Sequence, residues 1–458
     1  MVLISVSGVR GVVGEDLTAE IACRYAGAFA ATLGEGPILV SRDTRPSGLM
    51  FRHAVLAGLL QTGVTVLDAG LLPTPTCGFA VRQYRAAGAI QITASHNPPD
   101  WNGLKLFGPD GAVLAPDLGE LVRQRYQSAA IPHAAWNQTG TVRVPPDAGN
   151  AHLEAICDIV GVAAIVSRQW RVLLDANGGV GGVLGRQLLE QLGCQVSVHG
   201  GDMDGQFLHP PEPTPAHLAE VAPWVVRNQA DVGFALDPDA DRLALIDPQG
   251  DCLSEELTLA LAVEWRLRQQ KGPVVINMST SRLVEDIARR HGCPCFRTPV
   301  GEAHVVAGMR AVQAVIGGEG NGGVIDPRIG WVRDPFVAMA AILDLLATEH
   351  KSLPELVAAL PRYHMLKTRL PLPAEHLDAA YTVLRHHWPT AACQCDDGLR
   401  LDHHDWWLHL RPSNTEPIVR LIIESTHEQL AHELLEQVRQ LLRPLNPDNH
   451  ESTAQPST

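Results

Sequence analysis

The stretch from Gly36 to Gly70, "GPILVSRDTRPSGLMFRHAVLAGLLQTGVTVLDAG", decides the fold. It opens on an apolar run that suits a buried strand. A polar turn follows, then an amphipathic helical stretch, a glycine and a second apolar run. Strand, helix and strand joined by short turns make a βαβ unit, whose two strands lie parallel. The same plan recurs from Trp170, "WRVLLDANGGVGGVLGRQLLEQLGCQVSVHG", and from Gly272, "GPVVINMSTSRLVEDIARRHGCPCFRTPVG". Copies spaced this widely are not a short-period solenoid and predict three α/β domains of similar design.

The end of the chain reads differently. "WWLHLRPSNTEPIVRLIIES" (406–425) is strand, turn, strand, and "EQLAHELLEQVRQLLRPL" (428–445) is a helix, which predicts a small α+β domain. The expected domains are 1–145, 146–252, 253–364 and 365–445. The polar tail 446–458 is expected to be disordered.

Composition narrows the function. The 458 residues carry a formal net charge of −14, which argues against a nucleic-acid partner, because phosphate backbones require dense Lys/Arg patches. A few arginines at one site can still hold a small phosphate. No apolar run is long enough to span a membrane, and "FVAMAAILDLLA" (336–347), interrupted by Asp344, reads as a buried helix. The N-terminus lacks the pattern of a signal peptide, so a cytoplasmic protein is expected. Nine cysteines, an odd number, imply no disulfide framework. The pairs Cys293/Cys295 and Cys393/Cys395 do not have zinc-site spacing and are expected to be reduced thiols.

Four loops carry the chemistry, and in parallel α/β sheets ligands bind beyond the carboxyl ends of strands. "TASHNPPDWNGLK" (93–105) places a candidate nucleophile, Ser95, beside His96 and Lys105, either of which could assist it. In "FALDPDADRLALID" (234–247), Asp237, Asp239 and Asp241 share a tight turn between apolar strands. Their mutual repulsion calls for a cation, and hard oxygen ligands suit Mg²⁺, with Arg242 as a local counter-charge or phosphate contact. "IGGEGNGGVI" (316–325) lets backbone approach a ligand closely, with Glu319 and Asn321 available for sugar hydroxyls. It lacks the Lys-Ser/Thr of a P-loop. "RPSNTEP" (411–417) offers Arg411, Ser413, Asn414 and Thr415 as an anion nest. Together the loops supply the parts for phosphoryl transfer on a phosphorylated sugar or polyol.

On these motifs, with "GVRG" near the start, the chain resembles the α-D-phosphohexomutases: phosphoglucosamine mutase, phosphomannomutase and phosphoglucomutase. The resemblance runs from about Ser7 to Leu442. It implies three related α/β domains and a C-terminal α+β domain like that of the TATA-binding protein, arranged around a central cleft. It implies a phosphorylated Ser95 and one Mg²⁺ held by Asp237, Asp239, Asp241 and a phosphoserine oxygen. Arg10, His96, Lys105 and Arg242 match positions around the transferring group, with Lys105 or His96 in proton transfer. Glu319 and Asn321 match sugar contacts, and Arg411, Ser413, Asn414 and Thr415 match the loop that grips the other phosphate. The implied reaction interconverts hexose 6-phosphate and hexose 1-phosphate through a hexose 1,6-bisphosphate, which also primes the enzyme. Hexose phosphates are the expected partners, without nucleic acid or membrane, in a monomer or homodimer.

Two departures bear on the sugar. "GEGNGG" (318–323) stands where many members have a "GEMSGH"-type pattern, and in "TPVGEAH" (298–304) Glu302 takes the place of a Lys or His contact. Both variants look like the archaeal-type branch, and the reading taken is phosphoglucosamine mutase, with phosphomannomutase/phosphoglucomutase as the alternative. Three other readings compete. A haloacid-dehalogenase-like enzyme would use Asp237 as nucleophile, but among Lys271, Lys351 and Lys367 none stands in a suitable motif. A non-catalytic sugar-phosphate sensor predicts a lost residue in the chemistry loops, and none is lost. A bisphosphate synthase or phosphatase would share the motifs.

Overall fold

The computed structural model describes residues 3–5, 8–370, 372–412 and 418–445. The Gly36 to Gly70 stretch forms strand Ile38–Arg42, helix Gly48–Leu60 and strand Val66–Leu71, and the two strands pair in parallel. The repeat from Trp170 gives strand Arg171–Asp175, helix Gly181–Gln191 and strand Gln195–His199, again parallel. The repeat from Gly272 gives strand Val274–Asn277, helix Leu283–Arg290 and strand Cys295–Thr298.

Each unit builds its own sheet. The first has seven strands, in the order Leu3–Ser5, Gly8–Val12, Trp101–Phe107, Gly88–Ile92, Ile38–Arg42, Val66–Leu71, Val142–Arg143. The second runs Leu243–Ile246, Val232–Leu236, Arg171–Asp175, Gln195–His199. The third runs Cys295–Thr298, Val274–Asn277, Ile316–Glu319, Gly323–Ile325. The fourth is antiparallel throughout, in the order His364–Leu370, Val419–Ser425, Trp406–Pro412, Leu399–Asp402, Ala392–Gln394.

The sheets share a feature beyond the βαβ unit. In each of the first three, the parallel strands give way to an antiparallel hairpin: Gly88–Ile92 with Trp101–Phe107, Val232–Leu236 with Leu243–Ile246, and Ile316–Glu319 with Gly323–Ile325. The turns of these hairpins are the Ser95 loop, the triple-Asp loop and the Glu319/Asn321 loop. In the fourth sheet, Trp406–Pro412 and Val419–Ser425 pair antiparallel. The segment between them lies outside the described residues, and with it Ser413, Asn414 and Thr415, as does the tail 446–458.

Packing joins the second and third sheets more closely than their separate strands suggest. One continuous apolar core draws on Val172, Leu174, Phe234 and Leu245 from the second and on Val274, Ile276 and Ile316 from the third. Helix Pro335–Glu349 runs through it with almost every side chain buried, and the Trp265 indole N–H donates to its buried acidic group, Asp344, at 2.8 Å. The first sheet has one core of its own and a second that also takes in Ala148 and Val332 from beyond it. The apolar core of the fourth is drawn wholly from residues 366–445. Among the described residues no single helix is long and apolar enough to cross a membrane.

Candidate active site

The Ser95 loop is held by a residue far from it in sequence. Ser95 has φ +52°, a left-handed conformation that costs a non-glycine residue about 1 kcal/mol or more unless its surroundings impose it. Arg45, in the turn after strand Ile38–Arg42, imposes it. Its Nη2 donates to the carbonyls of Ser95 (2.7 Å) and Asn97 (2.6 Å), and its Nη1 to those of Pro98 (2.5 Å) and Trp101 (3.1 Å). Asp43 holds Arg45 in turn at 3.1 Å, both side chains being fully buried. Thr93 closes the scaffold by donating to Asp43 at 2.7 Å and accepting from the Ser95 N–H at 2.8 Å.

The triple-Asp turn faces this loop. Asp237 Oδ1 accepts from the backbone N–H groups of Asp241 (2.9 Å) and Arg242 (3.0 Å), which fixes the turn. Its other oxygen receives the Ser95 hydroxyl at 3.1 Å. Asp239 Oδ2 accepts from the Thr74 hydroxyl at 2.7 Å. Asp241 Oδ2 accepts from Lys105 Nζ (2.9 Å) and Arg333 (2.5 Å). That leaves Asp239 Oδ1 and Asp241 Oδ1 buried without a hydrogen-bond partner.

The three aspartates fit a hard divalent cation. Each is fully buried, and each offers a carboxylate oxygen within 4.8 Å of the others. Burial pushes the Asp237 carboxyl well above its ordinary range, and the charges of Asp239 and Asp241 push it further. Burial acts on Asp241 in the same direction but is outweighed by Arg333, Lys105 and Arg242, which hold that group well below its ordinary value. A bound cation would engage the two orphaned oxygens and relieve the repulsion.

Around the turn stand four cations. Arg10 lies on strand Gly8–Val12, and Lys105 on the neighbouring strand Trp101–Phe107. Burial lowers the proton affinity of the Arg10 guanidinium, and Asp239 and Asp241 offset part of this. Lys105 bridges Asp241 and Glu302 (3.1 Å), whose charges overcome the effect of burial and keep the ammonium protonated. Arg242 pairs with Glu212 at 2.9 Å. The fourth is Arg333, which joins Asp241, Glu302 and Glu319 at 2.5, 3.4 and 2.8 Å. His96 Nδ1 lies 3.3 Å from the Ser95 hydroxyl and its Nε2 3.5 Å from Arg242. Burial, then Arg242 and Arg10, lower the imidazole well below its ordinary value, so it is neutral; with Arg242 donating to Nε2, the ring proton sits on Nδ1 and points to the Ser95 oxygen, whose own proton goes to Asp237.

The third hairpin turn lies against the second. Gly322 has φ +84°, and its N–Cα–C unit sits so close to strand Leu243–Ile246 that a Cβ would stand 2.3 Å from the Leu243 carbonyl oxygen. The Leu243 N–H donates to the Gly322 carbonyl at 3.1 Å. Glu319 accepts from Asn277 (2.8 Å), the Gly301 N–H (3.1 Å) and Arg333. Asn321 is half-buried, and its Oδ1 has no partner. Glu302 opens helix Glu302–Val312 and is engaged by Lys105 and Arg333. Arg411 stands apart from this group, paired with Asp397 at 3.2 Å. The two Cys pairs do not assemble a metal site; among the described residues the aspartates are the cluster able to hold an ion.

The structure thus brings Arg10, Ser95, His96, Lys105, Asp237, Asp239, Asp241, Arg242, Glu302 and Glu319 into one region. It adds residues that the sequence motifs did not mark. Arg333 sits in "WVRDPF", just before the helix cap Asp334, and Arg45 in "SRDTRPS" within the first βαβ turn. Thr74 and Glu212 stand in stretches without an evident motif.

Comparison with known proteins agrees with this arrangement. Four family models match the chain: phosphoglucomutase/phosphomannomutase alpha/beta/alpha domain I over residues 2–131, domain II over 150–250, domain III over 254–363, and the C-terminal domain over 391–441. A Thermococcus kodakarensis protein named "Phosphoglucomutase/phosphomannomutase" is 36% identical over 438 residues, covering 94% of this chain and 96% of that one. A second protein of that organism, named "Probable phosphoglucosamine mutase", is 33% identical over 95% of this chain and 97% of its own. The crystal structure of a phosphoglucomutase/phosphomannomutase family protein from Burkholderia thailandensis superposes with a TM-score of 0.86 at 28% identity, covering 97% of this chain and 98% of that one. The four sheets, the hairpin turns that meet around Ser95 and the triple-Asp cluster, and these likenesses establish that the chain belongs to the phosphoglucomutase/phosphomannomutase family of phosphohexomutases.

Proposed function

We propose that this protein interconverts the 6-phosphate and 1-phosphate of a hexose, acting as a phosphoglucosamine mutase, through a phosphorylated Ser95 and a hexose 1,6-bisphosphate. The observation that carries the reading is the Ser95 hydroxyl, 3.1 Å from Asp237 and 3.3 Å from His96 Nδ1, inside a ring of buried cations and orphaned carboxylate oxygens. The domain limits that go with it are 145/146, 252/253 and 364/365.

Each residue has a task in this scheme. Ser95 takes and returns the phosphoryl group, and the Arg45 scaffold keeps its oxygen stationary while the group changes hands. His96 or Lys105 moves the proton at the Ser95 oxygen, and Lys105 and Arg242 face the charge of the transferring phosphoryl. Asp237, Asp239 and Asp241, with a phosphoryl oxygen on Ser95, would hold one Mg²⁺. When bound, the ion supplies neutralisation of phosphoryl charge in a water-poor site. Glu319, Asn321 and Glu302 orient sugar hydroxyls. Arg411, with Ser413, Asn414 and Thr415, grips the phosphate that is not moving. That grip must accept either end of the bisphosphate, and a guanidinium with backbone amides can do so because it reads phosphate and not sugar.

The test supplies Mg²⁺ and a trace of hexose 1,6-bisphosphate with glucosamine, mannose or glucose 6-phosphate, and follows 1-phosphate by phosphorus NMR. A kcat/KM more than about tenfold higher for glucosamine supports the amino sugar. The 36% relative's name favours the alternative, phosphomannomutase/phosphoglucomutase, which a mannose or glucose preference would establish. Ser95→Ala is expected to abolish both covalent phosphate and turnover. A covalent phosphate that survives this substitution and is lost in Asp237→Asn would sink the scheme.

A further inference from the structure

Cys393 and Cys395 sit at the end of the edge strand Ala392–Gln394 of the fourth sheet. Residues two apart on extended chain point to the same side, and the two Sγ atoms stand 3.6 Å apart. Both thiols are exposed, and every other cysteine is buried or half-buried. Cys293 and Cys295 share the spacing but not the setting. The Cys293 thiol lies 3.7 Å from the His291 carbonyl, and burial pushes the Cys295 thiol up to about 12.

We propose that Cys393 and Cys395 form a reversible thiol–disulfide exchange site for a low-molecular-weight disulfide, and that closing it loosens the turn that holds Arg411 and Val300. One thiolate attacks the small disulfide, forming a mixed disulfide and releasing one small thiol. The second cysteine then attacks the protein-side sulfur, forming the Cys393–Cys395 bond and releasing the other small thiol. Two protein thiols are oxidised, one small disulfide is reduced, and the two protons leave on the released thiols. Partial burial and the neighbouring thiol push Cys393 up, so the second step is driven by proximity and not by an acidic thiol.

Geometry makes the bond reversible. Two residues of extended chain span about 6.6 Å, and a relaxed disulfide joins Cα atoms about 4.4–6.8 Å apart. The extended span lies at the long end of that range, above the usual value of about 5.5–6 Å, so closing the bond draws the two Cα atoms together, and an edge strand paired on one side only can bend to allow it. Exposed, bent disulfides of this kind are readily reduced.

The bend has a path to the site. The turn directly after Cys395 carries Asp397, whose carboxylate accepts from the Val300 N–H at 2.9 Å and pairs with Arg411 at 3.2 Å. Its carbonyl accepts from His409 Nε2 at 2.6 Å. The next residue after Val300, Gly301, donates to Glu319 at 3.1 Å. The consequence for catalysis rests on the proposed substrate roles of Arg411 and Glu319, but the thiol chemistry does not.

The test incubates the full-length protein in buffers of stepped reduced-to-oxidised glutathione ratio, quenches with acid and alkylates. Peptide mass spectrometry is expected to show loss of two hydrogens from the peptide bearing both cysteines and no lasting glutathione adduct. Cys393→Ser and Cys395→Ser should each retain the adduct. Hydrogen exchange at Val300 and Gly301 should speed up on oxidation. The KM for hexose phosphate should rise about three- to tenfold with a smaller change in kcat, reverse with a thiol reductant, and stay constant in Cys393→Ser. Unmodified thiols or a stable adduct on the wild type at every ratio would overturn the site. A disulfide with unchanged exchange at Val300 would overturn its link to the turn. The mass and exchange readouts need no turnover, so they report on the thiols even if every hexose phosphate proves inert.

Discussion

At the scale of the residue, the candidate site depends on groups whose polar atoms bond the protein itself. Arg45 is the clearest case, because all its donors point to backbone carbonyls and Asp43. A lysine keeps the charge but not the planar fork. Arg45→Lys is therefore expected to lower kcat about ten- to a hundredfold with little change in KM, as steady-state kinetics will show. Thr74 acts on the triple-Asp cluster from outside, by donating to Asp239 at 2.7 Å. Outer-shell partners of this kind are worth about ten- to a hundredfold in metal affinity, so Thr74→Val should raise the half-saturating Mg²⁺ concentration by that factor, measured by titration of activity. Neither residue was legible in the sequence. The motif residues could be read because three carboxylates in one turn, or Ser-His before two prolines, are costly without a purpose. A lone Arg or Thr in a βα turn carries no such signal, since its partners lie some 50 to 165 residues away.

At the scale of the element, the βαβ pattern was fully legible, because alternating apolar strands and amphipathic helices leave few other solutions. What periodicity did not reveal is that the candidate site residues sit at the antiparallel hairpin turns of the first three sheets. A short buried strand reads the same whether its neighbour runs parallel or antiparallel. The repetition explains how domains far apart in sequence present loops to one point, each turn leaving its sheet at an equivalent place. It also accounts for a glycine of "GEGNGG" (318–323), since Gly322 lies against Leu243. Gly322→Ala combines a left-handed backbone with a Cβ set 2.3 Å from a carbonyl oxygen. It should cost roughly 1–3 kcal/mol, read as a fall in thermal midpoint, and weaken sugar binding as the turn shifts.

At the scale of the whole molecule, the fourth sheet attaches differently from the others. Its core is its own, and the contacts that dock it on the third unit are polar. Arg282 pairs with Asp402, Lys367 with Glu255 and Glu256, Ser279 meets His409, and Arg400 donates to the Met278 carbonyl. Burial, with Arg400 and Arg411 adding to it, lowers His409 to about 4 from its ordinary 6.5. The folded chain thus refuses a proton that the unfolded chain takes up, so stability present above pH 6.5 is lost as pH falls toward 4. The loss is at most about 3 kcal/mol. Urea midpoints at pH 7 and pH 4.5 should differ more for the wild type than for His409→Gln. A docking seam made of charges and not of oil also gives dissolved salt a hold on the molecule. Raising ionic strength shortens the reach of each exposed pair, so salt should alter the angle at which the fourth domain offers Arg411 as well as competing for the phosphate itself.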